Sequence, residues 1–481
     1  MLDKSPVRIE VLAEPRRYRM FIDGAWHEAA GGETIERLSP AHDVPVSLFP
    51  KGTADDANKA VAAARRAFDD GRWSNLSGAE RASVLLETAR LIRARRDEIA
   101  LVETLESGKP ITQARGEVDG AAGIFEYAAG QARALHGDSF NNLGPGMLGL
   151  VTREPIPFIL AAGCTVVAKP SEFTYGSTLI LGEILAEAGL PDGVYNAVTG
   201  TGPDVGQVLT EHDDVDMASF TGSTAVGRLT LAAAARNIKK VGLELGGKNP
   251  QVVFADADLD AAADGVMFGL AFNAGQCCVS GSRLVVERSI ADDFAARVVE
   301  KVGKLRVGDP LDEATQMGAI VDPRQYDKIL GLIEEGKEAG ASLLCGGGPK
   351  ETKRGRFVDP TVFGGVDRAM SIAQEEIFGP VLSILTFETP AESIEIANDT
   401  CYGLAGSVWT SDLNKALRTM RRLKAGRIWV NCTITGGPEL PIGGFKQSGI
   451  GRETGKYGVE EYTEIKSTHI EIGDRVRWIA E

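Results

Sequence analysis

Residues 164–200 read CTVVAKPSEFTYGSTLILGEILAEAGLPDGVYNAVTG, and the fold class turns on this stretch. Thr165, Val166 and Val167 open a short β-branched run that ends at Lys169. Residues 175–188 carry a helical pattern closed by Gly189, Leu190 and Pro191, and residues 194–198 return to a strand. The alternation continues outward with a short helix at 206–210, a strand at 217–220, an alanine-rich helix at 224–236 and a strand at 240–245. Strand and helix in strict alternation predict βαβ units, a parallel sheet and an α/β fold. Ligands of such sheets bind at the carboxyl ends of the strands.

Downstream the same style recurs, with a helix at 259–272, a strand at 283–286 and helices at 290–305 and 323–339, so a second α/β unit is expected. Upstream, Phe21 to Trp26 reads as a hairpin turning on Asp23 and Gly24. After Thr53 a helix places Ala57, Val61, Ala64 and Phe68 on one stripe. Ser77 with Glu80 three residues later forms a capping box for a second helix. That helix turns Val84, Leu85, Ala89 and Ile92 inward and Arg90, Arg93, Arg95 and Arg96 outward as a solvated face. Residues 455–472 alternate around Tyr462, Ile465, Thr468 and Ile470, which predicts one exposed strand with no local partner, an edge that invites another chain.

At 481 residues, 43% hydrophobic and 25% charged, the chain is long enough for about three domains and a large core. The net charge of −15 sets it against phosphate backbones and anionic lipid, so neither nucleic acid nor membrane is expected as a partner. Six cysteines without a CxxC pair fit neither a disulfide framework nor a zinc site; no metal is expected, and a reducing, cytoplasmic setting is. Residues 1–6 put charges and a proline where a signal core would be, and the apolar run at 156–168 is too short to span a bilayer.

Chemistry is concentrated in two stretches. Residues 272–283 set Cys278 among small residues just past an apolar helical run of Val266, Met267, Leu270 and Ala271, where a thiol can be presented. The residues alone leave two readings, a nucleophile or a packed core thiol, since free cysteines are commonly buried and inert. The adjacent Cys277 adds a third, a vicinal redox pair. The second stretch, Leu243 Glu244 Leu245 Gly246 Gly247 Lys248 Asn249 Pro250, places Glu244 34 residues upstream of Cys278. The five histidines lie far in sequence from both stretches, so a glutamate is the economical base.

For a dinucleotide the local signals are modest. Gly200 and Gly202 belong to a Gly Thr Gly whose next glycine, Gly206, is one residue late for GxGxxG. Phe220 to Gly227 closes a strand and opens a helix, where glycine and free amides can hold a pyrophosphate. Lys169 and Glu172 sit just past a strand end, where a carboxylate can accept ribose hydroxyls. The plain alternative for each is a structural turn.

Together these stretches resemble the aldehyde dehydrogenase superfamily, whose pattern is a glutamate before Leu Gly Gly Lys and a nucleophilic cysteine after Gly Gln. The resemblance covers nearly the whole chain and implies a Rossmann-type NAD-binding domain at 1–133 and 154–245, a catalytic α/β domain at 246–450, and a β oligomerisation flap at 134–153 and 455–481. It implies oxidation of an aldehyde to an acid, with Cys278 as nucleophile through a thioester and Glu244 as the base for water. Cofactor contacts carry over onto Lys169, Glu172, Gly202, Phe220, Gly222, Ser223, Leu245, Glu376 and Phe378. Glu172 would repel a 2′-phosphate, so NAD is expected over NADP. A homodimer or homotetramer is implied. The loop holding Trp429 and Glu439 resembles that of betaine aldehyde and aminoaldehyde dehydrogenases, which suggests a cationic aldehyde.

One departure stands out. Between Arg153 Glu154 Pro155 and the Lys169 Pro170 Ser171 Glu172 motif the chain is about twenty residues shorter than the family pattern. The missing piece would hold the first strand of the dinucleotide fold and a Pro Trp Asn whose asparagine helps hold the oxyanion. A catalytically crippled relative that keeps fold and oligomer is therefore the alternative to a working enzyme.

Overall fold

The computed structural model describes residues 14–144, 146–155 and 160–472. The N-terminal residues read above, the junction at 156–159 and the end of the chain at 473–481 lie outside the described residues.

The C-terminal α/β unit is built on a seven-stranded sheet in the order Ser342–Cys345, Thr361–Gly364, Val381–Phe387, Arg283–Glu287, Pro250–Val253, Ala405–Trp409 and Arg427–Val430. Every pairing is parallel except the first. Successive residues point to opposite faces of a strand. Val252 and Val285 accordingly face Ile329, Leu332 and Ile333 of the helix Pro323–Glu338, while Val253, Leu284 and Val286 face the helices Leu259–Ala271 and Ala291–Gly303. Both faces are covered, as a parallel sheet requires.

The N-terminal half differs from the single parallel sheet expected. One sheet runs Ala25–His27, Met20–Ile22, Tyr195–Ala197, Val166–Ala168, and a separate one runs Met217–Thr221, Lys240–Glu244, Gly449–Ile450. The Met20 strand is antiparallel to both its neighbours; the Val166 and Tyr195 strands are parallel, as are the Met217 and Lys240 strands. Among the described residues nothing pairs with the outer edge of either the Val166 or the Met217 strand. The helix Ala54–Asp69 ties the two parts: it packs on the Val166 and Tyr195 strands, and Arg65 pairs with Asp216 just ahead of the Met217 strand.

The hairpin is present, with Phe21 opposite Trp26, and Ser77 and Glu80 cap the helix Gly78–Ala94 from both sides. Of the arginines expected outward, Arg90 and Arg93 are exposed, but Arg95 is half-buried between Glu98 and Glu183, and Arg96, which opens the next helix, is half-buried as well. The expected helix at 206–210 starts earlier, as a wide turn Gly202–Gly206 capped by Thr201, before Gln207–Glu211.

The tail also corrects an expectation. Residues Gly455–Glu461 form a helix because Gly455, Gly458 and Val459 bury at helical spacing, and the strand starts only at Thr463. That strand, Thr463–Glu471, does have a partner within the chain, Met147–Pro155, which pairs in turn with Asp138–Phe140.

Candidate active site

Cys278 lies in a loop that follows the helix Leu259–Ala271 and a tight turn, Phe272–Gly275. Asn273 and Ala274 are left-handed, with φ of 49° and 54°, and Gly275 follows at 70°. A left-handed non-glycine residue costs roughly 1–2 kcal/mol, so other contacts must hold the turn. The Asn273 amide donates to Gln113 Oε1 at 3.1 Å. The Gln276 side chain donates to the Asn273 and Ala319 carbonyls and accepts from the Val321 amide. At Gly275 an added Cβ would come within 2.2 Å of the Gly379 carbonyl oxygen, so the backbones touch there.

The stretch after Glu244 locks the other side of the loop. Asn249, buried, donates from Nδ2 to the Cys278 and Ser280 carbonyls at 2.8 Å each, and its Oδ1 accepts from the Ala405 amide. The Gly247 amide donates to Glu376 Oε1 at 3.0 Å, and a Cβ on Gly246 would lie 2.1 Å from Glu376 Oε2. Two adjacent glycines therefore let the Glu376 carboxylate lie on the backbone beside the cysteine loop. Lys328 donates to the Glu376 carbonyl, and Gln325 to the carbonyls of Ile377 and Phe378, which holds Phe378 at its left-handed φ of 56°.

Glu244 ends its strand, opposite Thr221 on one side and Gly449 on the other. Its Oε1 is buried without a hydrogen-bond partner. Burial, and then the charge of Glu453, push the carboxyl up to about 8, against the pull of Arg452 and Arg427. An unpartnered acceptor on a raised carboxyl suits a base that waits for a water.

Cys277 and Cys278 are both free, half-buried thiols. The Cys278 thiol is pushed up, first by its side-chain contact with Cys277, then by burial and by the negative charges of Glu376 and Glu244. The same contact draws Cys277 down. The field of both glutamates thus reaches Cys278, so the fold brings together three residues far apart in the chain. Trp429 shares an apolar cluster with the two cysteines and donates its indole N–H to the Thr435 carbonyl at 2.7 Å. Glu439 is exposed, and its charge acts on Tyr127.

A cavity of about 610 Å³ opens between the two halves, lined by Ser171, Phe173 and Gly222 on one side and by Arg324, Lys328 and Phe378 on the other. Gly222 precedes the helix Thr224–Ala234, whose cap Ser223 accepts from the Val226 amide, and the Phe220 ring lies over Gly222. Glu172 is half-buried beside this cavity. Lys169 is turned away into the backbone, donating to the Pro170 and Gly200 carbonyls, and burial lowers its pKa. Gly202 stands on an exposed turn. Leu245 is buried against Gly227, its amide bound to the Ser448 carbonyl.

Asn249, Gln276, Glu453 and Gln325 were not singled out from the sequence. Asn249 and Gln276 each left a signal, the first closing the glycine-rich stretch and the second preceding the cysteines; Gln325, which bonds Ile377 across 52 residues, and Glu453, which acts on the distant Glu244, left none.

The sequence pattern of the aldehyde dehydrogenase family matches residues 26–160 and 156–468, two runs that overlap at 156–160. An NAD-dependent aldehyde dehydrogenase of Sinorhizobium meliloti superposes with a TM-score of 0.97 at 50% identity, covering 100% of this chain and 99% of that one. Betaine aldehyde dehydrogenase of Staphylococcus aureus, solved with NAD+, superposes with a TM-score of 0.94 at 36% identity over 98% of each chain. Aminoaldehyde dehydrogenase 2 of Zea mays is 42% identical over 94% of this chain and 95% of its own.

Proposed function

The chain belongs to the aldehyde dehydrogenase family, and from that premise we propose how its own residues divide the NAD-dependent oxidation of an aldehyde. Cys278 is the nucleophile: its sulfur bonds to the aldehyde carbon, and the carbonyl oxygen becomes an oxyanion facing the Cys278 amide, which has no acceptor among the described residues. NAD, when bound, supplies the hydride acceptor. Once the hydride has left, a thioester remains on Cys278. Glu244 takes a proton from the water that attacks it, releasing the acid and the thiol.

The observation that carries this reading is the 244–249 stretch, which joins base, cofactor glutamate and nucleophile within six residues: Gly247 binds Glu376 and Asn249 binds the Cys278 carbonyl. Cys278→Ala should abolish turnover and leave NAD binding intact, whereas Cys277→Ala should be mild. Loss of all activity in Cys277→Ala alone would assign the nucleophile to the wrong sulfur.

Glu376 and Phe378 hold the nicotinamide end, Gly222, Ser223 and Phe220 the phosphates, and Glu172 the adenosine ribose; Lys169, spent on the Pro170 and Gly200 carbonyls, Gly202 on its turn and the buried Leu245 frame the site from behind without lining the cavity. The open cavity beside the start of the Thr224–Ala234 helix supports this placement. Residues 1–133 with 154–245 then form the NAD-binding domain, 246–450 the catalytic domain, and 134–153 with 455–481 the flap. Exposed Phe140 and Ile465 on the flap sheet support a homodimer or homotetramer. No described helix is long and apolar enough to cross a membrane, and six cysteines without a disulfide among the described residues fit the cytoplasm.

A cationic aldehyde is the proposed substrate, supported by Trp429 beside the cysteines and by the similar aminoaldehyde and betaine aldehyde enzymes. Betaine aldehyde should show a higher kcat/KM than a neutral aliphatic aldehyde of equal length; the reverse order removes the case.

A further inference from the structure

Glu172 excludes a 2′-phosphate only to the extent that its charge is unopposed, and in this fold it is opposed. Arg324, in the first turn of the helix Pro323–Glu338, reaches across the cavity and donates from Nη2 to Glu172 Oε1 at 3.3 Å. Its Nε donates to Asp322 Oδ1 at 3.2 Å, and its guanidinium lies 5.8 Å from the centre of the Phe173 ring. Asp322 is also the helix cap, accepting from the Arg324 and Gln325 amides, and it pairs with the arginine as a second carboxylate, so Arg324 offsets the negative charge of the corner only in part. Phe173 is flanked by a second arginine, Arg37, at 5.4 Å. The Arg324 side chain is 76% exposed and that of Glu172 34% exposed, so the arginine can change partner without unpacking anything.

We propose that Arg324 is a specificity-determining residue for the cofactor: it balances Glu172 at the ribose corner and supplies the cation that admits a 2′-phosphorylated adenosine nucleotide, so that the preference for NAD is narrow. An arginine fork suits a phosphate as well as it suits a carboxylate. A 2′-phosphate carries more negative charge than one carboxylate, so it competes for the guanidinium when present and leaves the Arg324–Glu172 pair intact when absent. The inference rests on the cleft being the NAD site.

The test is calorimetry on the full chain with 5′-AMP and 2′,5′-ADP, each also displaced by NAD. The chain as it stands should bind both, 5′-AMP more tightly. Arg324→Ala should weaken 2′,5′-ADP roughly tenfold, about the worth of one exposed charge-assisted contact to phosphate, and hold 5′-AMP within about twofold. Arg324→Glu should weaken 2′,5′-ADP further, Arg324→Lys should restore part of the loss, and the Arg324→Ala effect should shrink in high salt. Unchanged thermal midpoints would show that the variants fold. If Arg324→Ala and Arg324→Glu leave the ratio of the affinities unmoved while NAD still displaces 5′-AMP, the role of Arg324 is overturned and the cleft assignment survives. If NAD displaces neither probe, the cleft assignment itself fails, and the inference with it.

Discussion

Glu244 shows how burial turns an ordinary carboxyl into a base that is poised late. Its proton is held to about 8, first by burial and then by Glu453. Below that pH the base is protonated, so hydrolysis of the thioester should fall about tenfold per pH unit and level off above it. Removing the repelling charge with Glu453→Gln should move the midpoint to lower pH. A midpoint that stays put in a pH profile of the steady rate would show that Glu453 does not tune the base. The sign for stability runs opposite to that for activity. A carboxyl raised in the fold stabilises it below the ordinary carboxylate range, and that contribution is lost as pH rises toward 8. Glu244→Gln keeps the shape and removes the base, so one burst of NADH followed by slow turnover is expected. Equal loss of burst and steady rate would move Glu244 to the thiol-activating step. The identities of Cys278 and Glu244 were legible because each sits in a dense local motif. Their surroundings were not: Asn249 reaches Cys278 across 29 residues and Gln276 reaches Val321 across 45, and contacts at such range leave no periodicity to read.

At the scale of elements, the turn Phe272–Gly275 carries the cysteine, and its shape is set by three successive left-handed residues. Asn273 tolerates this conformation and bonds the Gln276 carbonyl from its own side chain, but Ala274 has no such preference, so the turn also depends on its contacts with Gln113 and Gln276. Gly275→Ala meets two penalties: a positive φ, and a Cβ 2.2 Å from the Gly379 oxygen, a backbone atom that cannot swing aside. A loss of at least about 2 kcal/mol is expected, with Cys278 displaced and turnover lost; a chemical-denaturation midpoint equal to the unaltered chain would remove this account. Most strands and helices were legible from β-branched runs and the 3.6-residue period. The tail was misread because Tyr462 fits an alternating pattern as well as a helix end, and only burial of Gly458 and Val459 tells them apart.

For the molecule as a whole, what matters is that the N-terminal sheet is divided. The Val166 and Met217 strands end their sheets, and Val166, Val167 and Ala168 are half-buried where the next strand inward, Tyr195–Ala197, is fully buried. Strand edges in a covered sheet leave backbone donors and acceptors unsatisfied. The absence of a Pro Trp Asn motif was legible in the sequence; the open edges were not, because only the pairing of the strands reveals them. The relatives favour a working enzyme over a non-catalytic one, so the division should appear as lowered efficiency. A strand and Pro Trp Asn segment inserted between Ile156 and Pro157 should join the two sheets and raise the thermal midpoint. It would also add a side-chain donor to the oxyanion beside the Cys278 amide. One such donor is worth on the order of a hundred- to a thousand-fold in turnover, so the gain should appear mainly in kcat. Full activity in the chain as it stands, with no rise in either quantity on insertion, would mean that another residue already serves the oxyanion and that the open edges cost little.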